Sequence, residues 1–363
     1  MADFFAPATV YNYMRRVYDY QVANTVRTVV RRTGKLRYIR NTDWERGVFW
    51  SAVGQAWTQT QDPTYRQGLL NYTLQTGFRP GNSPRFADDQ VCIAGYMDIY
   101  PEFNQPDLLD YSRAHLDVML NEPASGAKDW YWCDALYMAP PSFHALSKVT
   151  GEPAYAQYAH KAYWEGLEAL WDEQTDLVYR DARFIPNAEG TELREANGEK
   201  IFWSRGIGWV LASFARIFRY LDPQIIPQEE QERYRSYFKR LAKAIVPYQH
   251  ADGFWRASLL DPQTFPNPES SATALITYGL AWGYNQGLLD ESYLPYIAKG
   301  WQGLTTAVHP NGMLGWVQLP AFNPRPVQFT DNIEYGAGAF LLAGCEVAQI
   351  NSAALAAALQ EKA

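Results

Sequence analysis

The sequence has no run of 18 or more uncharged apolar residues, so no segment of it has the make-up of a membrane-spanning helix and no membrane partner is expected. The opening stretch, MADFFAPATV, has no basic start followed by an apolar run, and so no secretory signal is expected. The expected compartment is therefore the cytoplasm, or the periplasm if a leader precedes this sequence in the cell. Cysteine is scarce: Cys92, Cys133 and Cys345 are odd in number and lie in apolar or aromatic runs, which excludes a disulfide-built scaffold. None has a His or Lys beside it, so buried thiols are expected rather than nucleophiles. Basic residues form no block and the formal net charge is −7, which argues against a nucleic-acid partner. The five histidines, His115, His144, His160, His250 and His309, never pair at i, i+3 or i+4, so no metal-binding helix of that type is possible and no metal is expected. There is no G-x-S-x-G elbow and no phosphate loop; Gly206-Ile207-Gly208 lacks a third glycine and reads as helix packing, and no cofactor is expected.

Aromatic residues are what the chain has in excess. They make up 15% of its 363 residues, with 13 Trp and 25 Tyr. Sugar rings stack on such side chains, and large cores are also filled with them. No linker or low-complexity stretch divides the chain, so one architecture is expected over residues 1–363.

Six segments repeat a pattern: a polar or acidic start, then a helix-length run dense in Gly, Ala, Ser and aromatics. They begin at Asp43, Asp88, Trp132, Trp203, Glu269 and Asp331, at separations of 45, 44, 71, 66 and 62 residues. Between them lie amphipathic stretches at 62–78, 105–121, 153–171 and 230–250, whose apolar residues recur with the period of a helix that has one wet face. Alternating buried and half-wet helices predict an inner and an outer ring, an all-α (α/α)6 barrel. Short hairpins are expected near 177–202 and 313–319. Inner helices that all run one way bring the polar starts Asp43, Asp88, Asp89, Asp134, Arg205, Glu269 and Asp331 to one mouth. Each of these taken singly reads as a helix cap or a first-turn acid. All six blocks opening on polar residues beside Trp or Tyr exceeds what capping requires.

The chemistry left is that of carboxylates among aromatics. In DWYWCDALYMAPP, Asp134 follows Tyr131, Trp132 and Cys133. An apolar surround and a second anion, from Asp88 or Asp89, both raise a carboxyl pKa, so that it can donate a proton near neutral pH. Asp134 fits a helix N-cap ahead of ALYM equally well. Glycosidases commonly place two carboxylates across one sugar bond. By this reading the chain is a helical barrel acting on a sugar by acid/base chemistry.

WCDALYMAPP, FWSRGIGW preceded by REANGEK, the FADDQ…YMDIY block and SSATALITYGLAWG together resemble glycoside hydrolase family 105, the unsaturated rhamnogalacturonyl and glucuronyl hydrolases, from about Asp43 to Gly344. The resemblance implies an (α/α)6 barrel and an oligosaccharide substrate made by a polysaccharide lyase, with a C4=C5 double bond in its non-reducing uronic acid. It also implies hydration: an acid protonates C4, water adds at C5, the hemiketal opens and the aglycone leaves. The acid/base of the family matches Asp134. Its partner carboxylate matches the DDQ motif, Asp88 ahead of Asp89. Arg205 is the expected grip on the uronate carboxylate, with Arg180 and Arg183 behind it, where an ion pair with Asp181 is as good a reading. Trp44, Trp132, Trp203 and Trp209 are candidate stacking platforms, half of them expected in the core. The chain departs from the family pattern twice, with VYRDARF where some members carry a His, and with Ile207 in place of the usual Asn. The neighbouring sugar is expected to be chosen by the loops 177–202 and 312–329, with the pectin rhamnogalacturonan disaccharide ranked ahead of the ulvan product. Rival readings are a non-catalytic carbohydrate-binding barrel and an epimerase, which would want histidines in its cleft. The sequence leaves the oligomeric state open.

Overall fold

The computed structural model describes residues 4–30, 34–103 and 105–361. Helix α1 (Pro7–Ala23) is followed by a hairpin of β1 (Thr28–Val30) and β2 (Leu36–Tyr38). Helices then follow in pairs: α2 (Trp44–Thr60) and α3 (Pro63–Thr76), then α4 (Cys92–Ile99) and α5 (Asp110–Asn121). Short α6 (Gly126–Asp129) and α7 (Ala135–Met138) lead into α8 (Pro140–Thr150) and α9 (Pro153–Leu170). After strands β3 (Trp171–Asp172) and β4 (Leu177–Val178) come α10 (Ser204–Tyr220) with α11 (Gln228–Ile245), α12 (Ser270–Asn285) with α13 (Leu294–Thr306), and α14 (Glu334–Val347) with α15 (Ser352–Glu361). Among the described residues no single helix is long and apolar enough to cross a membrane.

Helices α2, α4, α8, α10, α12 and α14 pack each on the next, and α14 packs back on α2, which closes an inner ring. These are the six repeated blocks. Their small residues let backbones approach: a Cβ on Gly338 of α14 would lie 2.9 Å from the Cα of Phe49 on α2, closer than side chains tolerate. The outer helices bury one face only; in α11 that face is Tyr234, Phe238, Leu241, Ala242 and Ile245, at helical spacing. The outer place against α14 is taken by α1, while α15 lies on α13. The N-terminal helix therefore completes a ring that the repeat pattern showed only from Asp43 onward.

The expected hairpins differ in register. Leu177–Val178 pairs back with Trp171–Asp172, not forward with KIFW, and Trp203 forms an isolated bridge with Ser258. Residues 313–319 contribute only the bridge from Leu314 to Val308. The β1–β2 hairpin, with Gly34 at positive φ in its turn, is an element the repeat pattern did not contain.

Candidate active site

A cleft of about 570 Å³ opens beside the N-terminal ends of inner helices, lined by Arg37, Tyr38, Arg40, Asp43, Trp44, Ser83, Phe86, Asp88, Asp89 and Pro320. Asp43 and Trp44 come from the start of α2, and Asp88 and Asp89 from the 3-10 turn ahead of α4, so the polar starts of two of the six blocks line this cleft, while Asp134, Arg205, Glu269 and Asp331 do not. The capping alternative separates them residue by residue. Glu269 is a true cap: its carboxylate accepts from the backbone N–H of Ser271 (3.1 Å) and Ala272 (2.6 Å). It also accepts from the N–H of Gln318 at 2.9 Å. Asp331 serves a loop, accepting from the N–H of Gln328 at 2.8 Å, and α14 starts three residues later. Asp134 stands at the N-cap of α7 and makes no side-chain capping bond. Its carboxylate instead lies 3.3 Å from Cys133 Sγ and 3.4 Å from Arg180 Nε.

The neighbours Asp88 and Asp89 divide their tasks. Asp89 accepts from the N–H of Ser83 at 2.8 Å and lies 3.8 Å from Arg40, so it holds the loop at the rim of the cleft. Asp88 is half-buried and lines the cleft, yet burial of its carboxyl pushes its pKa well above the ordinary range. The charges of Asp134 and Glu45 push the same way, and Arg180 opposes them. Asp134 is therefore close enough for its charge to help hold the proton on the Asp88 carboxyl. Below them Glu45, fully buried in the first turn of α2, is pushed up to about 7 by burial, with Arg37 pulling the other way.

The arginines behave differently from expectation. Arg205 is 1% exposed. Its guanidinium donates to the carbonyls of Gln318 and Leu319 and to the Tyr335 hydroxyl, and it lies over the rings of Trp203 and Tyr335. It is a clasp under the loop that carries Pro320 into the cleft, with both terminal nitrogens engaged, and it does not line the cleft. Arg205→Met should lower folding stability by roughly 2–4 kcal/mol, because buried carbonyls lose their donor. Denaturant unfolding with an unchanged midpoint would contradict this. Arg180 reaches Asp134 and donates to Asp181 at 2.7 Å, and Arg183 grips Asp181 through Nε and one terminal nitrogen, both at 2.8 Å. The ion-pair reading holds for both, with Arg180 placed beside the carboxylate pair.

The tryptophans also divide. Trp44 lines the cleft, stacked on Tyr335 at 4.7 Å, and Trp132 stacks at 5.5 Å on Phe86, which lines it too. Trp132, Trp203 and Trp209 are buried, so only Trp44 of the four lines the cleft itself: Trp203 Nε1 donates to the Gln318 side chain at 3.1 Å, and Trp209 packs on Tyr137. Ile207 is core as well. The cleft lining contains no histidine, which removes the feature an epimerase would need. Sequence reasoning missed Arg37, Tyr38, Arg40, Glu45, Phe86, Gln318 and Pro320. For the first three a signal existed: TVV and LRY flank a Gly-containing turn, the pattern of a hairpin.

The profile of Glycosyl Hydrolase Family 88 matches residues 13–351. A curated relative from Formosa agariphila, named unsaturated 3S-rhamnoglycuronyl hydrolase, is 36% identical over 323 residues, 85% of each chain. A solved family 88 glycosyl hydrolase from Bacteroides vulgatus superposes with a TM-score of 0.82 at 28% identity, over 95% of this chain and 99% of that one. Another solved structure, named as a polysaccharide lyase, gives 0.81 at 29% identity over 94% and 97%. With the profile spanning most of the sequence and a relative aligned along 85% of it, the chain belongs to glycosyl hydrolase family 88.

Proposed function

We propose that this glycoside hydrolase removes a 4,5-unsaturated uronic acid from the non-reducing end of a lyase-generated oligosaccharide, with Asp134 and Asp88 as its catalytic pair. The observation that carries the reading is the raised Asp88 carboxyl at an aromatic-walled cleft, with Asp134 and Arg180 beside it. Burial and the charge of Asp134 bias Asp88 toward its protonated form, and Arg180 faces Asp134. A uronate bound near Arg180 would draw its charge away from Asp134, and the Asp88 proton would then pass to Asp134 for delivery to C4. Asp134, ionised again, takes a proton from the water that adds at C5. The vinyl ether supplies the electron pair for the C4–H bond, positive charge spreads over C5 and the ring oxygen, and the hemiketal opens to release the aglycone. Arg180 replaces Arg205 as the nearest cation for the uronate carboxylate, because a partly paired guanidinium at the site can still share hydrogen bonds.

The name of the Formosa relative sets a rhamnose next to the uronate, and we extend that neighbour to this protein. Rhamnose is common to the pectin-derived and the ulvan-type disaccharides. The test is to mix the protein with each unsaturated uronyl-rhamnose and follow the ultraviolet absorbance of the conjugated double bond. Loss of absorbance with release of rhamnose is expected. Binding without loss supports the non-catalytic barrel. Absorbance that rises on intact polymer supports a lyase, the activity in the name of one structural neighbour. Parallel kcat/KM values on the two disaccharides rank them, and a tenfold difference, about 1.4 kcal/mol of transition-state binding, assigns the natural one.

A further inference from the structure

Alternation along the β1–β2 hairpin gives it two unlike faces. Thr28 is paired with Tyr38 and Val30 with Leu36, so these four side chains share the outer face. Three of them are apolar and far out of the protein: Val30 is 69% exposed, Leu36 70% and Tyr38 63%. The inner face carries Arg37, which donates to Asp43 at 2.9 Å and to Glu45 at the start of α2. The base of the hairpin is fixed as well. The N–H of Val26 donates to Glu334 of α14 at 2.9 Å, its carbonyl accepts from Arg46 at 3.1 Å, and Ile39 is fully buried. A ribbon fixed at its base in this way presents an apolar face to solvent. The patch is continuous with the cleft, because Tyr38 belongs to both.

We propose that Tyr38 is the specificity-determining residue for the sugar that follows the uronate, and that the apolar face of the hairpin receives the deoxy edge of that sugar. This rests on the hydrolase reading above. Rhamnose carries a methyl group at C5 where a common hexose carries a hydroxymethyl. A methyl edge gains by leaving water for an aromatic ring, whereas a hydroxyl in the same place loses a hydrogen bond to water without replacement. Tyr38 offers the ring at the rim of the cleft, and Leu36 and Val30 continue the apolar surface outward for sugars further along the chain. A rigid aromatic platform of this kind adds contact area at little conformational cost.

The experiment compares kcat/KM on unsaturated uronyl-rhamnose and unsaturated uronyl-glucose for the parent protein, Tyr38→Phe and Tyr38→Ala. The parent should favour the rhamnose substrate, Tyr38→Phe should keep that preference, and Tyr38→Ala should lose roughly tenfold on rhamnose alone, through KM rather than kcat. Tyr38 is exposed, so an unchanged melting temperature will confirm that the variants fold. A parent enzyme that turns over both sugars without preference, or a preference that survives Tyr38→Ala, overturns the inference while leaving the hydrolase reading standing. Failure of the parent on both substrates is failure of the hydrolase reading itself. If light scattering shows a dimer that Val30→Ser with Leu36→Ser dissolves, the patch is a contact between copies and the inference is overturned as well.

Discussion

Asp134→Asn should fold as the parent does and lose roughly 10²–10⁴ in kcat, the usual size of an acid/base contribution. Asparagine keeps the shape of the side chain and removes its ability to carry the proton. Folding should be spared because Asp134 caps no helix, and because Arg180 keeps its bond to Asp181 when Asp134 loses its charge. KM should change little, since the interaction lost is one made in the transition state. Near-parental turnover by this variant would remove Asp134 from the chemistry.

Asp88→Asn has the second large effect, and it carries a signature in stability that Asp134→Asn does not share. The rate should fall by roughly 10² or more, because the pair loses a carboxyl able to carry a proton. Stability should move the other way. The folded-state pKa of Asp88 is raised, by burial first and then by Asp134 and Glu45, so between the unfolded pKa and the folded one the native state holds a proton that the unfolded chain has lost. Stability associated with Asp88 is therefore fully present below the unfolded pKa and declines as pH rises through the folded one. Asparagine does not titrate, and Asp88→Asn should melt at a higher temperature than the parent at neutral pH. Calorimetry from acid to neutral pH measures this: the difference should grow with pH. A variant that is less stable at neutral pH would show that Asp88 supports the fold instead of being supported by it. Asp89→Asn should behave unlike either, loosening the Ser83 loop and the Arg40 contact without a shift in the pH profile.

The barrel was legible because inner helices leave a mark that needs no tertiary information. Helices buried on every side read as small and aromatic residues in one block, and six such blocks close a ring. Asp88 and Asp134 stand out in the sequence because each lies at the opening of a block. Arg205 was not, because a polar residue beside Trp203 reads the same whether it faces the cleft or lies beneath it. What decides the matter is the carbonyl of Gln318, more than a hundred residues away, and no local pattern encodes that contact. The α1 helix and the hairpin escaped for another reason. Two three-residue strands around a glycine form a hairpin signal far shorter than the helical blocks, and α1 takes up the sixth outer place from the opposite end of the chain. Glu45 escaped because it looks like an ordinary first-turn acid; only its complete burial beside Arg37, with its pKa pushed up to about 7, marks it out. The cleft is thus built from two sources: block openings visible in the sequence, and N-terminal and loop elements placed by contacts across the ring.

A proton should reach C4 from the Asp88–Asp134 pair before the glycosidic bond opens. The most direct measurement runs the parent enzyme in heavy water on unsaturated uronyl-rhamnose, following the double-bond absorbance and rhamnose release together and examining the uronate product by mass spectrometry. Absorbance should fall at least as fast as rhamnose appears, and the product should gain carbon-bound deuterium at C4. Rhamnose released ahead of the absorbance loss, with an intact double bond in the first product, would mean direct displacement at the anomeric carbon and would contradict that order.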